Sequence, residues 1–407
     1  MRTLAVDIET YSSVSLQRCG VYAYAESPDF TILLFGYAWD DEPAQVVDLT
    51  TSAGLPGELL DALRDPEVVK TAFNAQFERV CLHAYLDEYQ NPSQWRCTAV
   101  LARQLGLPGS LEAAGEALRL SEESQKQKTG RSLIRYFSIP CKPTKSNGQR
   151  TRNLPAHDPE KWALYVDYNR QDVEAERTIR QVLERNRVHK SEQPLWELDQ
   201  RINDRGVGVD LTLAKRAVAI DRIVKERLFA QAQALTGLAN PKSSAQLKGW
   251  IEDTAGVDVE SLNKKEIANV REATNNEDVD EMLDLRLGLA KTSTEKYSAM
   301  IRTACEDGRI RGLTQFYGAG RTGRWAGRLV QMQNLPGNKM PERDLDTARQ
   351  LVRAGNLETL EILFDNIPGT LSQLIRTAFV PAKGRNFIVA DFHSIEARII
   401  AWLANER

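Results

Sequence analysis

The feature that most constrains the fold is an apolar stretch near the start of the chain, "TLAVDIET", which carries two carboxylates. Its apolar and β-branched residues predict a strand over residues 3–9. Side chains two apart on a strand share one face, so Asp7 and Glu9 point the same way. Asp7 lies within the apolar run, where an ionised carboxylate is costly unless it is paired or binds a metal. The stretch therefore predicts either a polar site on this face or two solvated acids at a strand end.

Strand and helix patterns alternate over residues 1–190. Apolar runs predict strands in "TLAVDIE", "FTILLFGYAWD", "AQVVDLT" and "VVKTAFN". Helical periodicity follows in "QFERVCLHAYLDEY", "SLEAAGEALRL" and residues 159–186. This order of elements predicts an α/β domain on a mixed sheet. Residues 125–152 contain eight lysines and arginines and no acid, and with their glycines, prolines and serines they predict a loop that forms a mobile basic segment.

Composition limits the remaining possibilities. A chain of 407 residues, 42% of them hydrophobic, is long enough for two or more domains with cores of their own. The net charge of −3 is nearly balanced, so a nucleic-acid partner has to be sought in local basic patches. Five scattered cysteines without a C-x-x-C pattern predict reduced thiols. No apolar run has the length of a signal peptide or a membrane span, so we expect a cytoplasmic protein without a membrane partner.

Two further pairs of polar residues occur at helical spacing. Asn74 and Glu78 lie where a predicted strand gives way to a helix, and Tyr168 and Asp172 lie four apart on the long helix. Neither pair is specific alone, because Glu78 can complement a helix dipole and tyrosine–aspartate pairs at this spacing are common. With the two acids of the first strand they form an ordered set, D-x-E, N-x-x-x-E and Y-x-x-x-D, within residues 7–172.

This set resembles the proofreading 3′–5′ exonucleases with a ribonuclease H-like (RNase H-like) fold. The resemblance implies four carboxylates that hold two divalent cations, Mg²⁺ or Mn²⁺, and a tyrosine that positions the attacking water. Carboxylates suit these hard cations, and phosphodiester hydrolysis uses two of them about 3.5–4 Å apart. Transferred to this sequence, Asp7, Glu9 and Asp172 are metal ligands, Tyr168 orients the nucleophile, and Glu78 is a catalytic carboxylate. The family usually has aspartate where this chain has Glu78, so its place among the ligands stays open.

The basic segment fits a domain that holds a single-stranded 3′ end of DNA, with phosphates on cations and bases against aromatic rings. The candidates in it are Lys126, Lys128, Arg131 and Arg135, with Tyr136 and Phe137. Asn74 is a further candidate for contact with DNA. A merely solvated loop explains any one of these side chains equally well.

From residue 195 the chain resembles a family A DNA polymerase of the phage type, in several motifs and in the right order. "INDRGVGVD" matches the segment after the exonuclease, and "NPKSSAQLKGWI" and "LGLAKTSTEKYSAMI" match the thumb. "TGRWAGRLVQMQNLPG" and "RTAFVPAKGRNFIVADFHSIEAR" match the region leading into polymerase motif A. The resemblance implies an α/β RNase H-like exonuclease domain over 1–190, a mainly α thumb over 191–305 and an incomplete α+β palm over 306–407.

Residues 308–328 favour a surface for primer–template DNA on their composition alone. They contain five arginines and three aromatic residues, several glycines and no acid. Glycine lets a backbone come close, and arginine binds phosphates or base edges through paired hydrogen bonds. A bland basic surface loop is the alternative. The DNA-binding candidates from here onward are Arg309, Arg311, Arg321, Arg324, Arg328, Gln333, Asn334 and Arg376.

The last motif raises a question of completeness. Residues 387–390 predict a buried strand that delivers Asp391 to a helix beginning near Ser394. By the resemblance to motif A, Asp391 binds both polymerase metals and Glu396 helps to exclude ribonucleotides. The family also needs a second aspartate and a nucleotide-binding helix later in the chain. We therefore expect nucleotide addition to require a separate C-terminal polymerase half, whether this chain is one half of a split polymerase or a truncation.

Three functions remain open. The leading hypothesis is part of a replicative DNA polymerase with a working 3′–5′ exonuclease and a thumb that binds primer–template duplex. A stand-alone exonuclease explains residues 1–190 but leaves the thumb and motif A without a purpose. A catalytically idle DNA-binding subunit is the third hypothesis, and the departure at Glu78 favours it.

Overall fold

The computed structural model describes residues 2–120, 124–186, 191–263, 266–320 and 322–406, without the side chains of 124–129. The strands are β1 (Thr3–Tyr11), β2 (Thr31–Trp39), β3 (Gln45–Asp48), β4 (Val69–Ala72), β5 (Trp95–Cys97), β6 (Val207–Val209), β7 (Arg309–Ile310), β8 (Thr314–Gln315), β9 (Ala326–Gly327) and β10 (Phe379–Val380). The helices before residue 206 are α1 (Leu16–Ala25), α2 (Gly57–Arg64), α3 (Ala75–Leu86), α4 (Thr98–Gln104), α5 (Leu111–Ala117), α6 (Ser124–Phe137), α7 (Pro159–Glu184) and α8 (Glu192–Arg205). The later helices are α9 (Leu211–Thr236), α10 (Ser244–Ala255), α11 (Ile267–Thr274), α12 (Glu277–Leu289), α13 (Glu295–Thr303), α14 (Glu342–Ala354), α15 (Leu357–Leu363), α16 (Ile367–Gln373) and α17 (Ile395–Leu403).

Within the described residues, the first part of the chain forms a five-stranded mixed sheet in the order β3–β2–β1–β4–β5. The central strand β1 runs antiparallel to β2 and parallel to β4. Its alternate residues Leu4, Val6 and Ile8 are buried in a core with α1, α2 and α3. The intervening residues, which include both carboxylates, therefore face the opposite side of the sheet.

The long helix α7 lies on that opposite side, across β1 and β2. It begins after Asp158, whose side chain accepts a hydrogen bond from the backbone of Lys161, with Pro159 in the first turn. Trp162 and Val173 are buried on its sheet-facing side. The predicted long helix and the predicted α/β alternation are thus both present.

The first half of the basic segment is a helix, so its prediction as a loop was wrong there, whereas residues 138–152 contain no helix or strand. Helix α6 covers 124–137, and its apolar residues Leu133 and Phe137, one turn apart, are buried against α7. The many lysines and arginines obscure the helical spacing of this apolar pair. The pair supplies the tertiary contacts that stabilise the helix. Phe137 is 1% exposed, so it is also wrong as a base-stacking candidate.

Helix α8 joins the sheet-containing part to the helical part through its polar residues. Arg79 of α3 is buried and forms an ion pair of 2.6 Å with Asp204, which also accepts a hydrogen bond of 2.7 Å from the Tyr22 hydroxyl. On the other side, Asp199 is buried and accepts a hydrogen bond of 2.8 Å from the indole of Trp325. Removing one partner of such a buried pair costs about 3–5 kcal/mol. The two parts are therefore firmly connected.

The second part is built around α9. Asp210 caps the start of this helix, and Gly237 ends it with a left-handed φ of 69°. One core forms between α9, α13, α14 and α16, and a second between the end of α9 and α10–α12. No helix among the described residues combines the length and the apolar composition needed to cross a membrane. The boundaries at residues 190 and 305 stay predictions.

Candidate metal centre

Three carboxylates meet where α7 crosses β1. Asp7 and Glu9 project from the sheet, and Asp172 projects from the helix towards them. One oxygen from each of the three lies within 4.8 Å of the other two. Glu9 is buried, and Asp7 and Asp172 are half-buried. The structure thus brings together the three residues that the sequence predicts as ligands.

Electrostatics at this cluster favour a cation. Burial raises the pKa of Asp7 well above its usual value, and the negative charges of Asp172, Glu9 and Glu78 raise it further. Burial, with a contribution from Asp172, raises the pKa of Glu9 to about 8. A divalent cation between these oxygens would reverse the repulsion, and a set of carboxylate oxygens suits Mg²⁺ or Mn²⁺. The donor set therefore fits the predicted metals.

Tyr168 lies one helical turn before Asp172 and donates a hydrogen bond to its carboxylate. Burial and the nearby negative charge of Asp172 raise the pKa of the Tyr168 hydroxyl, so it stays protonated. Gly130 of α6 lies directly against the tyrosine ring, since a Cβ there would be 2.2 Å from a ring carbon. The ring is therefore held between α6 and the carboxylate cluster.

Glu78 lies beside this cluster and not within it. It is buried in the first turn of α3, and burial followed by the charges of Glu176 and Glu9 raises its pKa to about 8. Its Oε2 atom is buried without a hydrogen-bond partner among the described residues. The 4.8 Å grouping found in the described part of the chain does not include it. Asn74, just before α3, is exposed, and its side chain does not cap the helix.

Three residues of α7 that contact the cluster were not predicted from the sequence. The Tyr165 hydroxyl donates to Glu9, the Asn169 amide donates to Asp7, and Glu176 accepts from the hydroxyls of Thr71 and Thr98. Tyr165, Asn169 and Glu176 are spaced four and seven residues apart, close to whole turns of a helix. Once Asp172 is assigned to the site, this spacing would have placed all three on the same face.

The segment around Asp391 is different, and the predicted buried strand at 387–390 was wrong. These residues form no strand, and Ile388 and Val389 are 95% and 93% exposed. A strand needs a neighbour for its backbone hydrogen bonds, and no described strand pairs with this segment. Asp391 is exposed, and its carboxylate accepts from the adjacent backbone N–H of Phe392. The following helix α17 does begin after Ser394, as predicted.

The predicted DNA-binding arginines divide into two groups. Arg309, Arg311 and Arg376 donate through Nε to main-chain carbonyl oxygens at 2.7, 2.8 and 2.9 Å, so they help to hold the fold. Arg324 is exposed and pairs with Glu396 at 2.8 Å. The other exposed candidates are Arg131, which pairs with Glu112, and Asn74, Arg135, Arg328, Gln333 and Asn334. Arg321 and the side chains of Lys126 and Lys128 lie outside the described residues.

The fold is similar to that of a DNA polymerase domain. The polymerase domain of Pol1 from M. smegmatis, solved in complex with DNA primer-template and dNTP, matches with a TM-score of 0.56 and 17% identity. The match covers 99% of this chain and 59% of that chain. The mixed α/β and helix-rich polymerase fold expected from the sequence is confirmed at this level.

The sequence is similar to a phage polymerase. It is 55% identical over 406 residues to the DNA polymerase of Bacillus phage SP02, which confirms the resemblance inferred from the motifs. The match covers 100% of this chain, and the chain spans 62% of that protein's length. No protein-family model matches the sequence.

Proposed function

We propose that the chain is part of a DNA-directed DNA polymerase used in replication and that its first part is a metal-dependent 3′–5′ proofreading exonuclease with an RNase H-like fold. The observation that carries the exonuclease is the convergence of Asp7, Glu9 and Asp172 from a central strand and a crossing helix. Similarity to a phage DNA polymerase over the whole chain supports the wider assignment.

Each residue of the cluster has a role in this proposal. Asp7, Glu9 and Asp172 would hold the two Mg²⁺ or Mn²⁺ ions, which supply an activated water and stabilise the leaving oxygen. Tyr168, protonated and hydrogen-bonded to Asp172, presents its hydroxyl to the attacking water. Glu78 adds a fourth carboxylate at the edge of the cluster, and its unpartnered Oε2 is free to accept a proton or to reach an ion.

DNA would contact the chain at two surfaces. A single-stranded 3′ end needs cations near the carboxylate cluster, and Arg131 and Arg135 on α6 are exposed there. Primer–template duplex would meet the exposed side chains of Arg324, Arg328, Gln333 and Asn334, which can contact phosphates and base edges. Arg309, Arg311 and Arg376 act indirectly, since their guanidinium groups hold the backbone of this region.

Nucleotide addition would require a further polymerase segment. Asp391 and Glu396 are both exposed, and the residues between β10 and α17 have no strand partner in the described part of the chain. Apolar side chains of Phe392, Ile400 and Trp402 are 67–78% exposed, a surface that a polymerase half could cover. In this proposal the partner completes the palm and supplies the second metal-binding aspartate.

A catalytically idle DNA-binding subunit is the second candidate, because Glu78 lies outside the 4.8 Å grouping of the other acids. A stand-alone exonuclease fits less well, since the similarity to polymerases extends over the helical part too.

The test is digestion of single-stranded DNA labelled at the 3′ or the 5′ end, with Mg²⁺ or Mn²⁺. Wild type should shorten the DNA stepwise from the 3′ end, and Asp7→Ala should abolish this. Asp41→Ala, which removes an exposed acid that bonds only Gln181 in the described structure, is the matched control. Retained DNA binding without degradation by wild type would favour the idle subunit.

A further inference from the structure

Asn169 makes two contacts with one catalytic-site residue. Its side chain is fully buried, and Nδ2 donates to the Asp7 carboxylate at 2.7 Å and to the Asp7 backbone carbonyl at 3.2 Å. One amide group thus holds both the strand and the carboxylate that the strand carries. This double contact fixes where the Asp7 oxygens lie relative to α7.

Tyr165 holds the carboxylate of the second acid on the strand, Glu9. Its hydroxyl donates to Glu9 Oε2 at 2.5 Å and shares a hydrogen bond of 2.7 Å with the Ser138 hydroxyl. The ring is fully buried and stacks between Phe137 and Tyr168, with centroid distances of 5.5 and 6.3 Å. The direction of the Tyr165 hydroxyl is therefore set from both sides.

A glycine makes room for this arrangement. Gly36 of β2 lies opposite Asp7 in the sheet. A Cβ at Gly36 would be 2.7 Å from Asn169 Oδ1 and 2.9 Å from Val173 Cγ2. Both contacts are too short to persist, so any side chain at position 36 would push α7 and its amide away from Asp7.

The two donors are also electrically suited to a metal site. One buried and two half-buried carboxylates repel one another when they are ionised, so something must hold them together until a cation binds. An arginine or lysine would do so but would also neutralise the charge that attracts the cation. The Asn169 amide and the Tyr165 hydroxyl are neutral, so they orient the oxygens and leave the negative charge in place.

From this geometry we infer that Tyr165 and Asn169 are positioning residues, which set Glu9 and Asp7 in the arrangement that binds divalent cations. Neither residue touches the DNA or the metal in this role. The inference rests on the proposed exonuclease function. Partners that orient metal ligands typically change metal affinity 10- to 100-fold when they are removed, so the effect is large enough to measure.

The experiment measures Mn²⁺ binding by the full-length chain, with free Mn²⁺ followed by electron paramagnetic resonance. Tyr165→Phe removes one hydroxyl, and Asn169→Leu replaces the amide with an apolar group of similar size. Tyr24→Phe is the matched control, because the Tyr24 hydroxyl is also buried but bonds Thr10 instead of a carboxylate in the cluster. Thermal unfolding of each variant separates loss of metal affinity from loss of the fold.

Each positioning variant should bind Mn²⁺ about 10- to 100-fold more weakly than wild type, and Tyr24→Phe should bind as wild type does. Unchanged Mn²⁺ affinity in a folded Tyr165→Phe or Asn169→Leu would overturn the inference and leave the exonuclease proposal standing. Equal weakening in Tyr24→Phe would also overturn it, since the effect would then be general to buried hydroxyls. Failure of wild type to bind Mn²⁺ would overturn the proposed function, and the inference with it.

Discussion

The chain carries two aspartates that sequence motifs assign to metal sites, and the structure treats them in opposite ways. Asp7 lies on the central strand of a sheet, beside two other carboxylates and a buried amide donor. Asp391 lies in an exposed segment, where its carboxylate accepts a hydrogen bond from the next residue's backbone. Both motifs can be recognised equally well in the sequence. Among the described residues, further carboxylates converge on Asp7 and none converge on Asp391.

The difference shows what assembles a carboxylate site. The cluster around Asp7 draws on β1 and α7, which lie far apart in the sequence and are brought together by a packed core. That core also supplies the burial which raises the pKa of Glu9 to about 8, so without a cation this carboxyl is mostly protonated at neutral pH. Around Asp391 no described strand pairs with the backbone, and the carboxylate remains in water.

The largest expected effect contrasts one aspartate from each region. If the proposed function holds, Asp172→Asn should lower the rate of 3′–5′ digestion about 10³-fold, because it removes one of three converging carboxylates from a site that lowers the activation barrier by several kcal/mol. Asp391→Asn should leave this rate at the wild-type value. Both rates can be measured on labelled single-stranded DNA. Similar losses in the two variants would mean that the regions act as one site.

Trypsin offers a second contrast. Lys383 and Arg385 precede Asp391 and are exposed, whereas Lys70 and Arg79 are buried in the sheet-containing part. Cleavage at the exposed pair should be at least about 100-fold faster, because the buried sites need a costly opening first. Mass spectrometry of the first fragments measures the order of cuts. Early cleavage at Lys70 or Arg79 would show that the two regions do not differ in how firmly they are packed.

Lys70 should make the stability of the sheet-containing part depend on pH. It is buried, its ammonium donates to two backbone carbonyls, and burial lowers its pKa from 10.5 to about 8. Between these pH values the unfolded chain binds more protons than the folded chain, so the stability of the folded chain should rise with pH. Relative to Lys70→Met, the free energy of unfolding should rise by about 2–3 kcal/mol between pH 8 and 10.5.

Urea unfolding at several pH values measures this difference. The exposed Lys383 provides the control, since Lys383→Met should follow wild type at every pH. A flat difference between wild type and Lys70→Met would show that the sheet does not exclude water from the ammonium.

The smallest effect concerns two glutamates. Glu78 is buried with an unpartnered oxygen, so Glu78→Gln should stabilise the metal-free chain by about 1–2 kcal/mol at neutral pH. Glu396 forms an exposed ion pair with Arg324, so Glu396→Gln should change stability by less than about 1 kcal/mol. Thermal unfolding in the presence of a chelator compares them. A destabilised Glu78→Gln would indicate an unseen partner for the carboxylate.

The sequence was sufficient for those elements whose periodicity agrees with their packing. Strands β1 to β4 and helices α3, α5 and α7 follow the predicted pattern. Strand β5 was missed because three residues are too few to show alternation. Helix α6 was missed because its buried residues Leu133 and Phe137 lie within a run of charged residues. The strand expected at 387–390 failed because a strand depends on a neighbour that local sequence cannot supply.

The candidate metal site was also predicted only where residue spacing alone determines which side chains meet. D-x-E and Y-x-x-x-D gave the residues that converge, since strand and helix periods fix which side chains share a face. They could not show whether Glu78 belongs to the cluster. Whether its longer side chain reaches the other carboxylates depends on the angle between α3 and the sheet. They also gave no sign that Tyr165 would turn its hydroxyl to Glu9, which requires the stack with Phe137 to be known.

The glycine opposite Asp7 has a consequence for the history of this sequence. Glycine in the middle of a strand weakens it, so drift should replace Gly36 wherever replacement is harmless. Here the neighbouring amide of Asn169 occupies the space that a side chain would need. Positions 36, 169 and 173 are therefore expected to change together among descendants of a common ancestor, with a larger residue at 36 accepted only after smaller ones at 169 and 173.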